Sequence, residues 1–417
     1  MPKTTVPLTT HSNDELLQYA ISSGMLDLTA MLEQMNMAKR NEVKKKYKDK
    51  IKWREDKKLY YIYINRKPKA KKTYDELIDM LVEYEIENEK AEQAKAETLA
   101  TLYPHFVMWK KEQGKADQTL RDYVTNWNRF LKNDELANRP LVELDVSDFA
   151  NLFSRWTKGG QLTYKRFVTA KSLLNGIITF AIQERKIIKI NYASQVNCKD
   201  YRFMPVDNSK EVYTNDTKKK LLDSLQDDEM YSLAIQFSFF VTIRIGELLS
   251  LKWSDVKTQS DIECVFVHSQ KQVKNDITMV DGEIVVGSRY FENVPYTKSR
   301  KKEGFRYLPL TDKAKALLTT VKKLNPDGEY IFMKDGKQLD RTTFNNQLER
   351  HCKKSDIDYH SSHKIRFNTI STLHDKGLTL PEIMEFAGHS HMATTVNYLR
   401  NVKNETEVFD RFRTALS

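Results

Sequence analysis

Three short stretches in the C-terminal half of this 417-residue sequence combine residue types that could hold an anion or move a proton. "FFVTIRIGELLSLKWSDV" carries Arg244 and Glu247, three positions apart, inside an apolar helical pattern. Burying one charge alone is costly, so the two are expected to pair, either on a partly exposed helix or at a site. "HSSHKIRFNTISTL" sets His363 and Arg366 at the same spacing, which on a helix puts an imidazole beside a guanidinium. "AGHSHMATTVNYLR" holds His389, His391 and Tyr398. As zinc ligands the two histidines would need Cys, Asp or Glu partners at ligand spacing, and none lies nearby, so no metal site is expected. Tyr398 is then either structural or a nucleophile. A phenol has a pKa of about 10 and attacks only with help from positive charge or a base.

The elements that must position these residues are legible in outline. Pro381 opens a helix over "PEIMEFA" and Gly388 stops it, so His389 falls in the following turn. A new helix is expected to begin around Ala393–Thr395 with a threonine N-cap, placing Tyr398 in its first or second turn. "DIECVFVHS", "ITMVDGEIVVG" (with an Asp281–Gly282 turn) and "FRYLPL" read as strands flanked by helices. Residues 95–195 read as an all-helical bundle whose aromatics form a core. A polar, alanine-rich helical linker at 89–97 precedes it, and an aperiodic one follows, with a domain boundary near Pro205.

The charge is unevenly spread. Net charge is +11, yet Lys39–Lys72 alone holds 16 Lys/Arg against 4 Asp/Glu, so the remainder is close to neutral. Trp53, Tyr60, Tyr61 and Tyr63 thread this run and argue for a folded module over a flexible tail. Short strands at "KIKWRE", "LYYIYI" and "KAKKT" are expected, then a helix capped by Thr73 and Glu76. A compact strand-strand-helix module over 49–88 follows, behind a helical lead at 1–48 with a capping box at Ser12–Glu15 and a break at Gly24. A folded basic module points to phosphate backbones, with Lys50, Lys52, Arg54, Lys57, Lys58, Arg66, Lys67, Lys69, Lys71 and Lys72 as candidate contacts. No apolar run approaches a membrane span or a secretory signal. Cys198, Cys264 and Cys352 form no zinc spacing and fit a reducing compartment. Neither Gly114–Lys115 nor Gly336–Lys337 continues into Ser or Thr, so no nucleotide-binding P-loop is present.

Taken in order, Arg244, Lys298, His363 with Arg366, Gly388–His389 and Tyr398 spell R…K…H-x-x-R…G-H…Y. This set resembles the signature of the tyrosine recombinase (phage-type integrase) family, in particular lambda-type and conjugative-transposon integrases. Arg244 and Glu247 match T-G-x-R-x-x-E-L, and Lys298 in "YTKSRKKEGFRYLPL" matches the lysine of a strand-turn-strand T-K…P-L segment, with Lys301 and Lys302 close behind Arg300. The sequence departs from the family pattern at Thr242 (usually Gly), at Ala387 (usually Leu) and in "HKIRFNT". The resemblance implies a multidomain, mainly α chain with small β parts. Its divisions are an arm-type DNA-binding module at 49–88, a helical core-binding domain at 95–195 and a mixed α+β catalytic domain at 205–417.

The implied activity is site-specific DNA recombination for a mobile element, a prophage or a conjugative transposon, through a 3′-phosphotyrosyl intermediate and without a cofactor. Tyr398 would be the nucleophile, Arg244, Arg366 and His389 the phosphate ligands, Lys298 the general acid and His363 an aid to proton transfer, with Glu247 in support. Implied partners are double-stranded DNA at core- and arm-type sites, a homotetramer, and host bending and excision factors, all in the bacterial cytoplasm with the nucleoid and with no membrane. A C-terminal helix bearing Val408, Phe409, Phe412 and Leu416 would pack on its own domain or dock on a neighbour. A type IB topoisomerase-like strand transferase and a cleavage-deficient DNA-binding relative are the rival readings.

Overall fold

A computed structural model describes residues 27–206, 212–298, 304–400 and 413–414. The expected Ser12–Glu15 capping box, the break at Gly24, the basic residues Arg300–Lys302 and the C-terminal apolar face lie outside the described residues. The chain divides into two compact units, Met1–Tyr103 with Leu131–Leu152 and Leu174–Asn197, and Pro104–Phe130 with Phe153–Leu173 and Cys198–Ser417. That division runs through the 95–195 segment. No described helix is long and apolar enough to cross a membrane.

In the first unit, α1 (Leu28–Tyr47) leads into a three-stranded antiparallel sheet of β1 (Lys52–Arg54), β2 (Leu59–Ile64) and β3 (Lys67–Lys71), followed by α2 (Tyr74–Ala96). Asn65 and Arg66 both have positive φ, the backbone that a tight two-residue hairpin requires. Alternation along β2 turns Ile62 inward, where it meets Leu77, Ile78 and Leu81 of α2. Val43 and Tyr47 of α1 complete this core, and Glu85 holds both Lys46 and the Tyr47 hydroxyl. The module therefore begins before residue 49, because α1 supplies apolar area that the short sheet and one helix lack. Thr73 and Glu76 make the expected capping box, and the helix they open runs on to Ala96, so the linker at 89–97 is helical as expected and continuous with that helix. Alanine and long charged side chains favour its continuation. Farther on, Leu141 N donates to Glu97 O at 2.9 Å.

Helices α3 (Leu99–Glu112), α4 (Asp117–Phe130), α5 (Val146–Thr157), α6 (Tyr164–Gln183) and the single turn α7 (Tyr192–Gln195) make the 95–195 stretch nearly all helix. Within the second unit its aromatics are packing residues. Phe106 lies against Tyr123, Phe130 against Trp156, and Phe167 against Phe153 and Phe203.

The second unit continues with α8 (Asn215–Ser224), the almost wholly buried α9 (Met230–Phe240) and the short α10 (Ile245–Ser250). Strands β4 (Val256–Gln259), β5 (Ile262–Val267) and β8 (Arg306–Pro309) form one antiparallel sheet in the order β4-β5-β8. Between β5 and β8 the chain inserts a long hairpin, β6 (Gln270–Val280) and β7 (Glu283–Val294), turned at Asp281–Gly282 with both φ positive. The Lys298 segment is thus not a simple strand-turn-strand. Pairing of β6 with β7 removes both strands from the β5–β8 ladder and leaves Lys298 exposed in a turn after β7. The hairpin is seated by close approach and by α4. A Cβ on Gly246 would lie 2.9 Å from Lys271 O, and Asn275 N donates to the Asp117 carboxylate. Helix α11 (Asp312–Leu324), the small β9 (Met333–Lys334) and β10 (Lys337–Gln338) pair, α12 (Arg341–Lys354), α13 (Ser362–Asp375), α14 (Leu380–Ala387) and α15 (Met392–Tyr398) complete the unit.

Candidate active site

The chain leaves α9 in extended conformation at Val241 and re-enters helix at Arg244, the N-cap of α10. Arg244 and Glu247 are therefore not partners on an exposed helix face. The Glu247 carboxylate accepts from both the backbone N–H and the Nη1 of Arg244, each at 2.9 Å, and is fully buried. Its second partner is Arg306, whose Nη2 lies 2.7 Å from Oε2. Arg306 is absent from the candidates that the motifs suggest. A signal for it exists, since β8 alternates buried and exposed with Arg306 on the inward side beside Leu308. A charge on the apolar face of a strand requires a buried partner.

Arg366 is a third guanidinium, on the buried face of α13 with Ile365, Thr369 and Ile370. Its Nη1 donates to Thr242 O at 2.7 Å and its Nη2 to Ala387 O, while its Nε–H has no partner among the described residues. Thr242 O also accepts from Arg306. Thr242 is not among the residues with positive φ, so threonine stands there without backbone strain.

The three guanidiniums converge on the C-terminus of α14. Arg306 donates to Phe386 O, Arg366 to Ala387 O and Arg244 to Gly388 O, at 2.7 Å for the first and 3.1 Å for the last. These carbonyls end a helix and would otherwise be orphaned, and they carry the negative end of its dipole. Gly388 is left-handed, and a Cβ there would come within 3.0 Å of Arg306 Nη1. Glycine is required on both counts.

This turn delivers His389, which is buried between Arg366 Nη2 at 3.2 Å and Thr395 Oγ1 at 3.0 Å. Burial, with Arg366 and Arg244 beside it, pushes its pKa down to about 3, so the ring is neutral near pH 7. Helix α15 is capped by His391 without a side-chain bond, not by a threonine. Thr395 lies inside the helix, fully buried, because the imidazole offers its hydroxyl a partner. Tyr398 is the last residue of α15. Its ring stacks on Phe367 at 4.3 Å and lies 4.7 Å from the His389 ring, and its hydroxyl is 3.3 Å from His363 Nε2. Ser371 and the Tyr398 carbonyl bond at 3.2 Å, fixing the end of the helix.

His363 is exposed at the surface, yet desolvation by the protein around its ring and the cations Arg366 and Lys298 lower its pKa to about 4, so it too is neutral and can accept a proton. Arg366 is pushed down to about 9 by burial and by Arg244, and stays charged at neutral pH. Among the described residues, three guanidiniums against the carboxylate of Glu247 leave a positive excess that an anion would neutralise.

The structure thus brings together Arg244, Glu247, His363, Arg366, His389 and Tyr398. Among the described residues, Lys298 is linked to this group by its charge on His363. His391 is exposed, and both ring nitrogens of His389 are engaged, so H-x-H is not arranged as a metal site. Lys50, Lys52, Arg54, Lys57, Lys58, Arg66, Lys67, Lys69, Lys71 and Lys72 are all exposed in the first unit.

Residues 211–405 match the phage integrase family. A XerC-like tyrosine recombinase of Caldanaerobacter subterraneus is 21% identical over 309 residues, 68% of this chain and 74% of that protein. The ICEBs1 integrase of Bacillus subtilis is 23% identical over 272 residues, 64% of this chain and 68% of that one. Among solved structures, the Tn1549 transposon integrase (residues 82–397) with transposon right end DNA aligns at TM-score 0.57 and 19% identity, covering 76% of this chain and all of that one. A lambda integrase dimer on a COC′ core site aligns at 0.54 and 16% identity, covering 86% and 96%.

Glu247 also makes stability pH-dependent. Its carboxyl is held at about 2, below the ordinary 4.5, by Arg306 and Arg244 against the opposing effect of burial. It therefore stabilises the fold above pH 4.5, and this contribution disappears as pH falls through 4.5 toward 2. Glu247→Gln should cost about 3–5 kcal/mol in denaturant unfolding at neutral pH. The gap from wild type should close under acid, and a gap independent of pH would count against this account. With this geometry and these matches together, residues 211–405 are those of a phage integrase family domain.

Proposed function

We propose that this chain is the site-specific DNA recombinase of a mobile element, cutting and rejoining strands through a 3′-phosphotyrosyl intermediate. The observation that carries the reading is a tyrosine hydroxyl beside a neutral imidazole, next to guanidiniums in excess of their counter-charge and one buried N–H without a partner. A DNA phosphodiester supplies what this arrangement lacks, an anion with two nonbridging acceptor oxygens.

In the step proposed, the Tyr398 oxygen attacks phosphorus and its proton passes to Nε2 of His363. Arg244 and Arg366 hold the nonbridging oxygens as negative charge develops. The bond to the 5′ oxygen breaks, and Lys298 protonates that oxygen. The phosphotyrosine keeps the energy of the broken bond, so a second 5′ hydroxyl can reverse the attack and complete an exchange. Glu247 orients Arg244 and touches no substrate.

The basic module at the N-terminus is proposed to bind arm-type DNA. Lys52, Arg54, Lys67, Lys69 and Lys71 lie on strands whose residues are exposed, with Trp53 among them and the exposed Tyr63 on β2 between them. Helices of the 95–195 segment would hold core-type DNA beside the catalytic residues. Work on two sites implies a tetramer in the bacterial cytoplasm, with accessory bending and excision factors setting direction.

On a nicked suicide duplex, wild type should become covalently attached to DNA and Tyr398→Phe should not; adducts that persist in the variant would remove Tyr398 as nucleophile. Scoring exchange between two paired sites separates a recombinase from a topoisomerase. Lys298→Ala should slow cleavage by about 10²–10⁴-fold, and a 5′-thiolate leaving group, which needs no proton, should restore most of the rate. Equal slowing on both substrates would point to another acid. Replacing Lys69 and Lys71 by alanine should lower the slope of log affinity for arm DNA against log salt by about 0.9 for each phosphate no longer neutralised. An unchanged slope would place the DNA elsewhere.

A further inference from the structure

His389 meets two different partners through its two ring nitrogens, Arg366 Nη2 at Nε2 and Thr395 Oγ1 at Nδ1. A guanidinium has donors and no acceptor, so Nε2 must be the nitrogen that carries no hydrogen. The neutral ring then bears its one N–H on Nδ1, and the Thr395 hydroxyl accepts it. Turning the ring over would put carbon at both contacts and forfeit both bonds. The tautomer before DNA binds is therefore decided by the neighbours. It is the wrong one for a phosphate ligand, because Nε2 would face an anionic oxygen with its lone pair.

We infer that Thr395 is a positioning residue whose hydroxyl holds His389 in the Nδ1–H form in the free protein and lets it become an Nε2–H donor when a DNA phosphate enters. The inference rests on the recombinase reading, in which a nonbridging oxygen comes within reach of His389. In the exchange Nδ1 releases one proton to water and Nε2 takes one up, so the ring stays neutral. The hydroxyl rotates about Cβ–Oγ from accepting to donating, and no heavy atom needs to move. Arg366 loses its bond to Nε2 at the same moment and gains a free N–H for the phosphate, beside the Nε–H that already lacks a partner. A hydroxyl is the smallest side-chain group that can both accept and donate at one position. Thr395 is fully buried and stands three residues before Tyr398 on α15. The same hydrogen bond thus ties the helix of the tyrosine to the imidazole.

Valine has the shape of threonine without the hydroxyl, and serine has the hydroxyl without the methyl. In the full chain, Thr395→Val should slow single-turnover adduct formation at saturating suicide DNA by about 10- to 100-fold, the effect of leaving one buried polar group unsatisfied. Its affinity for DNA should stay at the wild-type value, and Thr395→Ser should recover most of the rate. Long-range nitrogen–proton NMR of histidine-labelled wild type should find Nδ1 of His389 protonated without DNA. In Tyr398→Phe bound to an intact duplex it should find Nε2 protonated. A valine variant as fast as wild type would overturn the inference, as would a serine variant as slow as valine or Nε2 protonation in the free protein. Failure of wild type to form any adduct would instead sink the recombinase reading, and the tautomer of the free protein would still decide the first half of this one.

Discussion

The buried carboxylate of Glu247 is the group on which the arrangement of this site depends. It sits between Arg244 and Arg306, with Arg366 close enough to add to the field that keeps it ionised. Without it, three guanidiniums would converge with only backbone carbonyls to offset their mutual repulsion, which would weaken or open the site. With it, the cluster is held together but not neutralised. A site that balanced its own charges would have little attraction for a phosphate, and one with no carboxylate would not assemble.

The second anchor is a helix end. Phe386, Ala387 and Gly388 each present a carbonyl that the helix cannot satisfy, and each is taken by a different arginine. The three cations and the turn carrying His389 are thereby fixed in one frame. Desolvation and excess positive charge then lower the pKa of both histidines, the buried His389 and the surface His363, keeping both neutral. Neutrality suits each differently. His363 can take the proton of the tyrosine beside it, and His389 can be an acceptor or a donor according to the nitrogen that bears its hydrogen.

Away from the site, the same shortage of partners explains the long hairpin and the N-terminal module. The hairpin of β6 and β7 is seated by close backbone approach at Gly246 and by Asp117, not by a large apolar face. The module borrows Val43 and Tyr47 from the preceding helix because its sheet buries little besides Ile62. Its charged strands are left uncovered, as the DNA contact proposed for this module would need.

Which reactive groups are available, in what order, and where most elements begin and end can be read from the residues alone. Strand β2, the Thr73 capping box and the Gly388 stop follow from periodicity and local chemistry that act over a few residues. The family signature is readable because its motifs are local and ordered. Which groups pair is settled only by the fold. Arg244 finds Gly388 144 positions away, Arg366 finds Thr242 124 away and Arg306 finds Glu247 59 away. No short-range pattern encodes such distances, so in sequence Arg306 passes for a strand residue and Thr395 for a helix cap. The displacement of Lys298 into a turn after an inserted hairpin has the same cause. Pairing of strands depends on which partner the whole fold presents, and a single stretch of sequence holds only one side of that pairing.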